Sequence, residues 1–464
     1  MIKNSSKFAI VDLETSDAFS NGGKIIEIAI TMVENWKITG SYNSFVNPGR
    51  HIPDRISELT NIYDTDVVDA PYFEEIADNI FNKLKDTVFV GHNVNFDFNF
   101  LNGEFKRNKH KTLNISRIDT LALSQIIYPT FEKHNLAQLS TDLGILLNHN
   151  HLAKFDALAT AQLFIKMFEK ANDFPFETIK AIRKLNLNLM GNSEQFFHIL
   201  EGKKIPDKTK YLKKNSFFIN KNLSIPKHLK KQVNVDDIGL STDLRITKKQ
   251  LELGDVLFSS TKNFTNIITK SRFGKTNTIL YLSVLNFLNN KKTLIVAENQ
   301  HSIRHIFKKW HDVFQNYVSG ELLSEYPTSK DFVDLNLFQK KLKLFEEKNI
   351  QIIKARILVW LLETKYGNFL EFKAADMEDI NNKIGISTEL NPLYARFIKE
   401  FIATEISIVE MDGVGQIDLE LFDTLIFSGK IDVLEIKKII SNTNKRAILI
   451  TKDDNLKKPF KIIM

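Results

Sequence analysis

The sequence predicts a multidomain α/β protein, and three features of its patterning carry that expectation. Its 464 residues exceed what one ordinary hydrophobic core encloses. Apolar, β-branched runs open the chain and then alternate with helical periodicities, the order of a mixed sheet flanked by helices. Strand-like runs return in the last third, after an interval of weak periodicity.

Taken in order, Phe8–Leu13 and Ile25–Val33 read as adjacent strands, and Tyr42–Pro48 as a third, closed by Pro48-Gly49. Pro71 opens a helix with Phe73, Ile76, Ala77, Ile80, Phe81 and Leu84 on one face. Thr87–Asn93 is a short buried strand that leads into a helix from about Phe96. A strand near Ile115–Ile118 and three further helices end near Lys170. Between Asn172 and Leu240, Pro175, Pro206 and Pro226 punctuate short helical pieces, which reads as a connector. Beyond Asp243 come a strand at Thr293–Glu298, a long helical region from about Asp331 to Leu362, and strands at Thr424–Gly429 and Ala447–Thr451.

Composition narrows the function classes. A hydrophobic fraction of 43% with 26% charged residues is that of a soluble globular protein. There is no apolar run long enough to span a bilayer, and the N-terminus runs into a strand without a signal-peptide core, so a cytoplasmic location is expected. The chain has no cysteine, which excludes disulfides, thiolate zinc sites and cysteine-ligated clusters. Its net charge of +7 is unevenly placed, with Lys203, Lys204, Lys208, Lys210, Lys213 and Lys214 crowded in the connector. Such a basic stretch suits a phosphate backbone as partner, and equally a solvated linker.

Three elements carry chemistry. Asp12 and Glu14 lie two apart on a strand, so both carboxylates project from one face. Like charges at the end of an apolar strand are costly unless cations neutralise them, and hard divalent ions suit carboxylate oxygens best. In the run Gly91-His92-Asn93-Val94-Asn95-Phe96-Asp97, a strand enters a turn and then a helix that carries Asp97. Taken singly, Asp97 also fits a helix-dipole role. In the third element, Asp156 lies on a helix whose Ala157, Ala161 and Phe164 face the sheet. His151 precedes it where the chain enters that helix, placed to take a proton from water.

Together these elements resemble the DEDDh, or DnaQ-like, 3′–5′ exonuclease family over about residues 7–168. Ile26-Glu27-Ile28-Ala29, Phe45-Val46-Asn47-Pro48, Leu59-Thr60-Asn61-Ile62 and Ile118-Asp119-Thr120-Leu121 fall in family order, with Asn61 where the family has glycine. The resemblance implies a Ribonuclease H-like fold and two Mg²⁺ or Mn²⁺ ions held by Asp12, Glu14, Asp97 and Asp156, with His151 as general base. One ion would activate the attacking water and the other stabilise the leaving oxygen. By the same resemblance, Thr15, Leu59 and Thr60 would contact the terminal nucleotide, and His92, Asn93 and Phe96 the strand.

The C-terminal half resembles the helicase portion of DinG-type proteins, through domain order, Gly274-Lys275-Thr276 after a helical approach segment, and the run Lys354–Lys365. A working P-loop needs a glycine-rich loop whose amides wrap phosphates. Here Thr269, Lys270 and Arg272 stand where small residues belong, there is no Asp-Glu dipeptide, and no arginine-finger element is evident. ATP binding is therefore not expected, nor an iron–sulfur cluster.

The expected division is residues 1–171 as exonuclease, 172–240 as basic helical connector and 241–464 as a degenerate, RecA-like helicase remnant. The expected activity is metal-dependent 3′–5′ hydrolysis of single-stranded DNA or RNA, with DNA the first expectation, to nucleoside 5′-monophosphates. Two alternatives stand beside it: a proofreading subunit docking on a polymerase or repair partner, and a non-catalytic nucleic-acid-binding scaffold.

Overall fold

The computed structural model describes residues 2, 6–147, 152–214, 216–221, 247–270, 273–313, 322–326, 328, 331–364, 367–372, 406–441, 443, 445–452 and 460–463. The chain forms two compact units: Met1–Leu223 with Leu335–Ile386, and Ser224–Asp334 with Ser387–Met464.

The first unit starts with strands β1 (Phe8–Thr15), β2 (Ile25–Glu34) and β3 (Lys37–Phe45), followed by helices α1 (Asp54–Thr60), α2 (Asp64–Val67) and α3 (Phe73–Leu84). Next come β4 (Val88–Gly91), α4 (Val94–Arg107), β5 (Arg117–Asp119), α5 (Thr120–Ile127), α6 (Leu136–Asp142) and α7 (Ala153–Asn172). The sheet order is β3-β2-β1-β4-β5, antiparallel across β1, β2 and β3 and parallel through β4 and β5. This is the mixed sheet that the Ribonuclease H-like expectation called for. Its core is built by Ala9, Val11, Ile28, Ile30, Phe89, Phe98, Leu101 and Phe105, which are buried because alternate strand residues and one helical face meet there.

The third strand begins earlier than its sequence suggests. Asn35 and Trp36 both adopt positive φ, 51° and 61°, closing a two-residue hairpin whose twist matches the strands it joins. Trp36 bears that conformation while stacked on Phe168 at 3.4 Å. A tryptophan where glycine is usual concealed the turn. Helices α1 and α2 also went unread, because seven- and four-residue helices carry too little periodicity.

The connector is more ordered than its prolines imply. It holds α8 (Phe176–Arg183), α9 (Phe196–Ile199) and a hairpin of β6 (Tyr211–Lys214) with β7 (Phe217–Asn220). The chain then enters the second unit through α10 (Lys248–Ser259), β8 (Phe264–Thr269), α11 (Lys275–Leu288), β9 (Thr293–Ala297), α12 (Gln300–Val313) and β10 (Leu323–Glu325).

It returns to the first unit for α13 (Leu335–Lys341) and α14 (Lys348–Glu363). This differs from the expected division, which gave residues 335–363 to the helicase-like region. The reason is burial. From Ile353 to Leu362 every residue of α14 is buried, so the helix is apolar on all sides and packs against α5, α8 and β7. Arg356 donates to the Pro129 carbonyl at 3.0 Å, Lys170 pairs with Glu363 at 2.7 Å, and Asn220 donates to the Thr364 carbonyl at 3.0 Å.

The second unit ends with β11 (Ile406–Glu410), β12 (Thr424–Ser428), α15 (Val433–Ile440), β13 (Arg446–Lys452) and β14 (Phe460–Ile463). Its sheet runs β10-β11-β9-β12-β13-β8-β14, parallel except for β14. Gly274-Lys275-Thr276 follows strand β8 rather than a helix, and Gly274 caps α11 with φ at 82°. The Gln250 carboxamide lies against Gly274 and donates to the Phe273 carbonyl. Arg272 lies outside the described residues.

Candidate active site

The site assembles at the end of β1, where the strand outruns its neighbour. Pairing with β4 covers Phe8, Ala9 and Ile10, so the backbone beyond them needs another partner on that edge. Leu13 N–H finds it in Asp97 Oδ1, at 3.1 Å. Asp97 is thereby held beside the strand that carries Asp12 and Glu14. The turn feeding α4 makes this approach possible. Asn93 takes the left-handed conformation (φ 73°) and opens the helix, while a side chain at Gly91 would stand 3.2 Å from Val94 Cα and 3.6 Å from Asp97 Oδ2.

Asp156 comes from the first turn of α7, which lies across β1 and β2. Asp12, Glu14 and Asp156 each offer a carboxylate oxygen, and these oxygens lie within 4.8 Å of one another. Asp97 stands outside that tight group, yet its charge is the largest neighbouring one acting on Asp12. Burial first, and then the charges of Asp97, Asp156, Glu14 and Glu27, hold the Asp12 carboxyl well above the usual carboxylate range. Burial and the charges of Asp156, Glu27 and Asp97 push Glu14 up to about 8. Asp97 is raised mainly by burial, against the opposing hydrogen bond from Leu13. The recess therefore disfavours its own ionised state. An all-oxygen, half-buried donor set of this kind fits a hard divalent cation, which relieves the repulsion.

The expected strand contacts divide. Leu59 and Phe96 are 55% and 46% exposed, so their side chains are open to solvent. Thr15 is half-buried beside Glu14, and Asn93 is exposed. Thr60 is buried, its hydroxyl donating to Ile56 O at 2.9 Å and accepting from Ile62 N–H at 3.3 Å, so it shapes the turn after α1. His92 Nδ1 lies 2.9 Å from the Thr120 hydroxyl, and burial lowers its pKa to about 4. His151 lies outside the described residues.

Two further carboxylates were missed as participants. Asp119 Oδ1 accepts from the amides of Asn93, Leu121 and Ala122, at 3.2, 2.8 and 3.4 Å, tying the turn before α4 to the start of α5. Glu27 pairs with Glu14 in the β1–β2 register and is 2% exposed. Its Oε2 accepts from Ala153 N–H at 2.9 Å. Burial raises its pKa, against the hydrogen bonds from Ala153, Asn43 and Lys154. The sequence signals were a glutamate inside a largely apolar strand and the family-order run Ile26-Glu27-Ile28-Ala29 around it.

Residues 9–164, which hold this sheet and its carboxylate recess, match the Exonuclease family model. Over a longer stretch the chain is similar to the protein named 3′–5′ exonuclease DinG of Staphylococcus haemolyticus (strain JCSC1435), 29% identical over 396 residues, covering 82% of this chain and 43% of that one. It is equally similar to the DinG of Staphylococcus aureus (strain MRSA252), 29% identical over 381 residues, covering 78% and 42%. The chain thus spans less than half the length of the curated relatives it matches. Among solved structures, Exonuclease X in complex with 5′ overhanging duplex DNA is 25% identical with a TM-score of 0.29, covering 35% of this chain and 91% of that one. The nuclease domain of 3′hExo, a DEDDh family member bound to rAMP, is 16% identical with a TM-score of 0.33, covering 36% and 92%.

Among the described residues no helix is long and apolar enough to cross a membrane.

Proposed function

We propose that the first unit hydrolyses phosphodiester bonds from the 3′ end of single-stranded nucleic acid, releasing nucleoside 5′-monophosphates. One observation carries the reading: Asp12, Glu14 and Asp156 converge within 4.8 Å at the end of β1, with Asp97 tied to the same strand. Asp12, Glu14, Asp97 and Asp156 would hold two divalent cations, Mg²⁺ or Mn²⁺. When bound, such ions lower the pKa of water and offset charge on a phosphate in transfer. The protein's own part is to present four carboxylates from three elements on one rigid edge. His151 is assigned the proton transfer from water by the family resemblance. Exposed Leu59 and Phe96 give apolar surfaces on which bases of any sequence can stack.

The helicase-like region is read as a remnant without ATPase activity. The Gln250 side chain packed against Gly274 supports this, because it occupies space beside the loop that would cradle phosphates.

The test is degradation of a 5′-labelled single strand by the full chain in Mg²⁺, with products resolved by length. Asp12→Ala and Asp156→Ala are expected to abolish stepwise shortening while the fold is retained. Undiminished activity in both variants would remove the assigned site. Strand-stimulated ATP hydrolysis lost in Lys275→Ala would overturn the remnant reading.

A further inference from the structure

We propose that Glu27 is a positioning residue, whose carboxylate pins the first turn of α7 to β2 so that Asp156 reaches the carboxylates of β1. The inference rests on the nuclease reading of the site and deepens it. Asp156 is the one member of the tight triad that does not come from β1. Its distance from Asp12 and Glu14 therefore depends on where α7 begins, which neither its own helix nor the sheet ladder fixes.

The contacts at that point are specific. Ala153 is the first residue of α7, and no side chain of its own N-cap, Leu152, satisfies the helix's leading amides. Those amides lack intrahelical partners and need acceptors when buried. Glu27, 126 residues away in sequence, supplies one: its Oε2 takes the Ala153 N–H at 2.9 Å, with both groups buried. A carboxylate at a helix N-terminus is also favoured by the aligned peptide dipoles. The second oxygen faces the Asn43 carboxamide on β3, which donates to Glu27 Oε1 at 3.0 Å when its amide is oriented with the nitrogen toward the carboxylate. Below this bond Ala29, Ala153 and Ala157 pack as small buried residues, letting α7 lie close on β2. The chain of contacts runs Asn43, Glu27, Ala153, Asp156, three residues beyond Ala153 on the same turn of helix.

Glu27 does not join the tight triad, so its effect on a bound ion would be indirect. Outer partners that orient metal ligands are worth about 10–100-fold in affinity or activity. The probe is Mn²⁺ alone, titrated calorimetrically into the full-length chain, with kcat and KM measured on a single strand alongside. Glu27→Ala is expected to weaken Mn²⁺ binding about tenfold or more and to lower kcat with KM for the strand little changed. Glu27→Gln keeps an oxygen that accepts from Ala153 and is expected to recover binding to within about threefold, a rescue that general loosening of the fold would not produce. Ala153→Pro removes one of the two α7 amides that donate to Glu27, leaving Glu27 and the Lys154 amide in place. Proline is tolerated at a helix's first position, and Leu152 already has the extended backbone that a following proline requires (φ −122°, ψ 118°). It too is expected to weaken Mn²⁺ binding, and it decides the matter if Glu27→Ala fails to fold.

Wild-type Mn²⁺ affinity in Glu27→Ala or Ala153→Pro would overturn the inference. So would equal weakening in Glu27→Ala and Glu27→Gln, which would assign the effect to charge rather than to the bond. An Asp156→Asn control separates the two readings. If wild-type protein binds no Mn²⁺, or Asp156→Asn binds as wild type does, the site itself falls and this inference with it. If the control behaves as expected and Glu27→Ala does not, only the role of Glu27 falls.

Discussion

Without a divalent cation the candidate site should be a pH-dependent weakness of the fold, and Glu14 reports it best. Its pKa is pushed from an ordinary 4.5 to about 8 by burial and by Asp156, Glu27 and Asp97. A carboxyl with a raised folded-state pKa binds its proton more tightly in the native chain than in the unfolded one. Stability from that proton is fully present below about pH 4.5 and is lost as pH rises through about 8. At pH 8 and above, keeping Glu14 ionised in the metal-free recess costs on the order of 2–4 kcal/mol, allowing for solvent at a half-buried group. The assay is hydrogen–deuterium exchange of the β1 amides in EDTA from pH 5 to 9, corrected for intrinsic exchange rates. Protection is expected to fall across that range, to be largely restored by Mg²⁺, and to flatten in Glu14→Gln. Metal-free protection that stays level or rises with pH in the wild type would refute the reasoning, because burial and the neighbouring carboxylates would then not be penalising the ionised Glu14.

Two other outcomes test the placement of residues around the site. Phe96→Ala, at a 46% exposed position, is expected to raise KM for a single strand about five- to tenfold with kcat nearly unchanged, stacking being worth about 1–3 kcal/mol per base; steady-state kinetics decide it. A fragment ending at residue 223 is expected to unfold at a lower temperature than the first unit within the full chain, since it bares the faces of α5, α8 and β7 that α14 covers. Arg356→Leu in the full chain should show the same effect in smaller measure, about 2–3 kcal/mol by denaturant titration, because the buried Pro129 carbonyl loses its charged donor.

Much of the site was legible in the chain because its chemistry is local. Asp12 and Glu14 share a face by strand alternation alone, and the turn before Asp97 shows in Gly91 and Asn93. Asp156 sits beside the alanines that let its helix lie on the sheet. Spacing fixes which residues share a face within one element, whereas the expectation that Asp97 and Asp156 meet the β1 carboxylates comes from the family resemblance. The strands β1, β2 and β4 were legible for the same reason, each being an apolar run with defined ends.

What only the tertiary structure decided concerns partners distant in sequence. Thr60 stands in the same motif as Leu59, but burial turns its hydroxyl to Ile56 and leaves Leu59 outside. Glu27 and Asp119 looked like strand and turn residues until the amides they accept were placed beside them. The assignment of α14 to the first unit was likewise invisible, because an apolar helix states that it will be buried and not against what. Sequence periodicity fixes which face of an element leaves water. The choice of neighbour is made by shape and by unpaired polar groups, and those exist only once the chain has folded.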